Sequence, residues 1–143
     1  MKKTSLLSSL AISAIALTAL SGCAVTDFFQ HEASADFEST KALDAGWDKS
    51  APWVPADATD IRTRSSTTGD SAILRATTAT ALDPELCVEI ERKSGPVYEQ
   101  DWSGDAYVDN AWACDNWTVV ATDDGWYGWT PNYPEEQEQS PTR

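Results

Sequence analysis

The sequence predicts a small α+β domain of two β-hairpins and one short helix, stapled by a disulfide. Three observations predict it. Two segments alternate with a period of two and break at turn residues. One segment starts with a cap and a proline and carries an apolar face. A pair of cysteines, Cys87 and Cys114, falls inside the span that holds these patterns.

Pro52-Trp53-Val54-Pro55 opens the folded span in an extended form, because each proline disfavours helix at the residue before it. Ile61 to Ser66 then alternates, with Ile61, Thr63 and Ser65 on one side and Arg62, Arg64 and Ser66 on the other. Thr67-Thr68-Gly69-Asp70 is a turn, and Ser71 to Thr78 is β-prone around Ile73 and Leu74, which completes a hairpin. The helix is expected over Pro84–Lys93. Asp83 caps it, Pro84 suits the first helical position, and Leu86, Cys87 and Ile90 line one face. Arg92 and Lys93 complement the last turn before Ser94-Gly95-Pro96. Val97 to Asn116 is irregular and acidic. Trp117 to Thr122 alternates again, Asp123-Asp124-Gly125 turns the chain, and Trp126 to Thr130 returns as the partner strand.

These limits define the organisation. Residues 47–133 form the folded domain. Residues 23–46 are expected to be a flexible tether with an end-to-end distance of about 25–30 Å, in which Phe28 and Phe29 could reach the membrane interface; a short amphipathic helix packing back on the domain is the alternative. Residues 134–143, rich in Pro, Glu and Gln, are expected to be a disordered acidic tail.

The first 22 residues differ in kind. Lys2 and Lys3 precede an uncharged run from Leu6 to Leu20 that is too short and too rich in Ser and Thr to span a bilayer comfortably. It ends in Leu20-Ser21-Gly22-Cys23, an aliphatic residue, two small ones and a cysteine. This resembles the lipobox of bacterial lipoproteins. The resemblance implies a signal peptide over residues 1–22, a diacylglyceryl group on the Cys23 sulfur and cleavage between Gly22 and Cys23. Two acyl chains hold a protein firmly to a membrane where one binds marginally, at about 0.8 kcal/mol per buried methylene. The implied location is the extracytoplasmic face of the cell membrane, with membrane lipid as the partner of Cys23. The mature domain is also similar to small secreted and lipoprotein domains of actinobacteria. Trp53-Val54-Pro55-Ala56-Asp57-Ala58-Thr59-Asp60-Ile61 and the Cys114-x-x-Trp117 spacing carry that likeness. It lends no activity.

With Cys23 lipidated, Cys87 and Cys114 are an even pair in an exported protein, and a disulfide is expected, two buried free thiols being the alternative. Their separation of 27 residues corresponds to about 3.5 kcal/mol of chain-entropy stabilisation.

Composition excludes some functions. The formal charge of −13 becomes −15 when Lys2 and Lys3 leave with the signal peptide. Such a chain is repelled by nucleic acid, whose affinity comes from Lys and Arg on phosphates. The one histidine, His31, lies in the expected tether, so Ser-His or Cys-His catalysis and a His-ligated zinc site are not available to the folded domain. The 23 Asp and Glu residues will place some carboxylate pairs at glycosidase spacing by chance. Asp101, Asp105 and Asp109 lack the alternate-position spacing of an EF-hand and read as a solvated acidic loop. No catalytic, metal or cofactor residue is assigned.

All seven tryptophans lie between Trp47 and Trp129. Most are expected in the core, since a small domain needs large apolar side chains. Trp126, Tyr127 and Trp129 are the candidate ligand-binding aromatics. The expected function is a non-catalytic, membrane-anchored envelope module that binds a protein partner or contributes to surface structure. A cell-wall glycan-binding module is the alternative, and a carboxylate-based hydrolase ranks below both.

Overall fold

A computed structural model describes residues 31–142. The expected signal peptide (residues 1–22) and Cys23 lie outside the described residues, and so do Phe28 and Phe29. The alternation around Ile61 produces a strand in which Ile61, Thr63 and Ser65 are buried while Arg62, Arg64 and Ser66 are half-buried. It is the second of seven: β1 (Glu32–Ser39), β2 (Thr59–Ser66), β3 (Ala72–Thr77), β4 (Val88–Glu91), β5 (Asn110–Cys114), β6 (Trp117–Thr122) and β7 (Gly125–Thr130). Two short helices accompany them, α1 (Thr40–Gly46) and α2 (Pro134–Gln137).

All seven strands pair antiparallel in one sheet of order β1-β2-β3-β7-β6-β5-β4. Two meanders meet where β3 pairs with β7, Leu74 standing opposite Gly128. Both expected hairpins are present within it, β2–β3 and β6–β7. The arrangement is sheet-rich, with two short helices, rather than two hairpins and a helix.

The sheet is covered on both faces, so its central strands are buried on both sides. On one face Leu74, Ala76, Trp117 and Val119 pack under Leu43 of α1, Trp53 and Val54. On the other, Ile73, Val120, Tyr127 and Trp129 pack with Ile90 and Ala106. Trp117 meets Trp53 edge-on at 5.7 Å and donates its Nε1–H to the Ser50 carbonyl. Trp129 donates to the Ser94 hydroxyl at 2.9 Å. Each large ring therefore buries its apolar body and satisfies its N–H.

Three expectations are corrected. The described part of the expected tether, residues 31–46, is no flexible linker: it contributes β1 and α1, and α1 packs on the domain through Leu43, in line with the helix alternative. Phe37 stands opposite Ile61 and Ala35 opposite Thr63, so the edge strand adds apolar contacts to the buried face. Ser39 caps α1 by accepting the Ala42 N–H. Asp36 and Glu38 point acidic side chains to solvent along the edge, a feature that discourages pairing with other chains.

The helix expected over Pro84–Lys93 is a single turn followed by β4. Asp83 starts that turn, its carboxylate accepting the Glu85 N–H and its carbonyl the Cys87 N–H. A helix of about ten residues is marginal by itself. Pairing with β5 wins, because Val88 and Ile90 are β-branched and Cys87 is bonded to Cys114. The disulfide joins cross-strand neighbours with Cα atoms 4.3 Å apart, beside the Val88–Ala113 pair.

The tail expected to be disordered folds back. Glu136 is fully buried, and Asn132 Nδ2 donates to the carbonyls of Asp115 and Trp117. Ser140 accepts the Asp115 N–H at 2.6 Å. One smaller difference concerns the second hairpin, where Thr122 pairs with Gly125. The turn is Asp123-Asp124 alone.

The register gives the sheet two distinct ends. Glu32, Ser66, Ala72, Thr130 and Cys114 lie at the end where the described chain begins. Ser39, Thr59, Thr77, Thr122 and Gly125 lie at the other, about 20 Å away over six residues of strand.

Candidate functional site

The three candidate aromatics do not form one platform. Alternation along β7 sends Trp126 to one face and Tyr127 and Trp129 to the other. Tyr127 and Trp129 are buried, whereas Trp126 is half-buried.

Trp126 borders an open cleft of about 640 Å³ at the end of the sheet remote from Glu32. The cleft lies between the loop after β3 (Thr78 to Ala81), the β6–β7 turn (Asp123 and Asp124) and Asp57, which comes from the segment before β2. Hydrogen bonds fix each wall. Asp57 accepts the hydroxyls of Thr78 at 2.9 Å and Thr80 at 2.8 Å. Trp126 donates its Nε1–H to the Thr80 carbonyl, and its ring meets Trp112 edge-on at 5.2 Å. Asp124 accepts Arg75 at 2.8 Å and the Thr122 hydroxyl at 3.0 Å, while its carbonyl accepts the Thr78 N–H.

These contacts set the electrostatics. The Thr80 and Thr78 hydroxyls hold the Asp57 carboxyl below the ordinary aspartate value. The Arg75 guanidinium does the same for Asp124, assisted by Thr122. Both are carboxylates at neutral pH. The cleft thus presents a large ring, two anions and a row of threonines.

A second, smaller pocket of about 240 Å³ opens on the opposite face. Residues Pro96 to Gln100 and Ser103 to Tyr107 wall it, and Tyr127 closes its floor. The Tyr127 phenol is completely buried and its hydroxyl has no hydrogen-bond partner. Burial pushes its pKa up to about 12, against a downward pull from Ser103. Gly104 packs directly on the Tyr127 side chain.

Asp101, Asp105 and Asp109 are all exposed. Among the described residues no three acidic, histidine or cysteine side chains converge as a metal site would require. No described helix is long and apolar enough to cross a membrane. Sequence reasoning singled out Trp126 but missed Asp57, Thr78 and Thr80. Asp57 and Thr80 lie in irregular segments with no periodic signal, Thr78 ends the expected β-prone run just past β3, and only the folded topology brings them to Trp126.

No protein-family model, curated protein or solved structure matches this chain.

Proposed function

We propose that the protein is a membrane-anchored envelope lipoprotein whose domain binds rather than catalyses, and that the Trp126 cleft takes a hydroxyl-rich ligand of the cell-wall glycan type. The position of the cleft carries this reading. Cys23, the lipidated residue of the lipobox, precedes Glu32 by only the eight residues 24–31, a span of at most about 30 Å when extended. Glu32 begins β1 at the end of the sheet opposite the cleft. An anchor there ties the near end to within about 30 Å of the bilayer and leaves the cleft at the far end of the sheet.

The cleft chemistry supports a sugar. An aromatic ring stacks on the apolar face of a pyranose, while carboxylates and hydroxyls pair with its OH groups. An open trough suits a polymer that passes through it. The non-catalytic half of the reading is supported by Asp57 and Asp124. Both are held below the ordinary range, whereas glycoside hydrolysis needs one carboxyl raised to serve as the acid.

Titration of the mature protein with cell-wall oligosaccharides, followed by tryptophan fluorescence, tests it. Saturable quenching that weakens at least tenfold in Trp126→Ala is expected. Absence of quenching, or quenching that survives the substitution, refutes the glycan reading.

A further inference from the structure

We infer that the pocket floored by Tyr127 is a second binding site, specific for a primary ammonium group on a flexible stem, of the lysine or diamino-acid type. It is independent of the Trp126 cleft, which opens on the other face of the sheet.

The buried hydroxyl is the first observation. Buried polar groups are nearly always paired, and an orphan calls for an explanation. Among the described residues Tyr127 is one of four such groups, and it is the one that borders this pocket. Ser103 draws the phenol's pKa down, yet no donor or acceptor among the described residues stands in hydrogen-bond geometry to its oxygen. A ligand that reaches the floor supplies the missing partner.

The lining selects what that ligand is. Glu99 and Asp105 border the pocket, and no Lys or Arg does. Asp105 spends one oxygen on the Tyr107 N–H at 2.9 Å, and among the described residues the Glu99 carboxylate accepts no hydrogen bond. Three phenol rings, Tyr98, Tyr107 and Tyr127, surround the space, and aromatic faces attract cations. Tyr107 already shows this, with the Arg92 guanidinium 5.8 Å from its ring centre. An ammonium has three donors and no acceptor, so it can meet the Tyr127 oxygen and a carboxylate together. A volume near 240 Å³ holds an amine on a short alkyl stem and is below the usual size of a site for larger ligands. The formal charge of −13 concentrates cations around the whole molecule.

Titration of the ¹⁵N-labelled mature chain with Nα-acetyl-lysine methylamide tests the site, with Nα-acetyl-norleucine methylamide and N-acetylglucosamine as neutral probes. Saturable amide shifts confined to residues 97–107 and 127 are expected, for the lysine probe alone. Tyr127→Phe should weaken binding roughly tenfold, the loss that follows removal of one hydrogen bond to a charged group, while the spectrum stays folded. Glu99→Gln should weaken it as well, and Trp126→Ala should leave it unchanged. Equal binding of a neutral probe overturns the assignment, as does undiminished affinity in Tyr127→Phe or the absence of saturable shifts.

Discussion

The Glu136 carboxylate lies fully buried against Ser94, accepting its backbone N–H at 3.0 Å. The same carboxylate accepts the Lys93 N–H at 2.8 Å and the Tyr133 N–H at 3.0 Å. One side chain thus ties the C-terminal segment to the chain leaving β4. It satisfies three backbone donors that no strand reaches, and a buried N–H without a partner is costly.

That contact predicts an acid-sensitive C-terminus. Burial acts to raise the Glu136 pKa, but the Ser94 side chain and the backbone N–H groups of Lys93, Ser94 and Tyr133 outweigh it. The result lies below the ordinary glutamate value. The folded state therefore favours the ionised form. Its stabilisation is complete above the ordinary value of about 4.3 and is lost as pH falls below that through the folded value. Glu136→Ala, which leaves three buried donors unpaired, should cost about 2–4 kcal/mol at pH 7. Thermal melting of both proteins from pH 7 to pH 3 should show the gap between them closing in acid. A constant gap contradicts the assignment.

The Cys87–Cys114 bond clips β4 to β5 at the end of the sheet. Replacing both cysteines with alanine should lower stability by about 3 kcal/mol, through a freer unfolded chain and a lost buried contact. Because β4 is a four-residue edge strand, hydrogen exchange should accelerate first at Val88 to Glu91. Uniform acceleration across the sheet would argue against this local role.

Gly128 lets Trp53 lie on the sheet. A methyl group there would stand 2.7 Å from the Trp53 ring and 3.2 Å from Val119. Both neighbours are buried, so the ring has nowhere to retreat. Gly128→Ala should destabilise by about 1–3 kcal/mol and shift tryptophan emission to the red. Wild-type stability in a urea melt would show that the ring moves freely.

Tyr127 predicts behaviour in base. Burial raises its pKa to about 12, so the folded state keeps a proton that the unfolded chain releases near 10. Stability attached to this group is complete below pH 10 and declines between about 10 and 12. Absorbance titration of tyrosinate should show one phenol ionising near the upper value, and Tyr127→Phe should remove that step. In the unliganded protein this substitution should stabilise slightly, since it deletes an unpaired buried hydroxyl.

The legible parts of the fold were those with a strong local period. Ile61 to Ser66 and Trp117 to Thr122 alternate, turn residues bound both, and the two hairpins follow. Strand β1 was hidden because Glu32 to Ser39 contains no β-branched residue, and its place at the sheet edge comes from pairing with β2. Strand β4 was masked by Asp83-Pro84, a genuine helix-start signal that the chain uses for one turn only. The ordered tail depends on Glu136, which composition counts as one more surface acid. Trp126 and Tyr127 were visible as candidates. Their assignment to opposite faces needed only the alternation of β7. Asp57, Thr80, Tyr98 and Glu99 needed the tertiary fold.

Mass spectrometry of the intact protein, purified from the membranes that make it, bears on the account most directly. The expected product is a chain that starts at residue 23 and carries two fatty acyl groups through glycerol on its sulfur. A chain of unmodified mass, or one that starts at another residue, removes the anchor and with it the argument from the position of the Trp126 cleft.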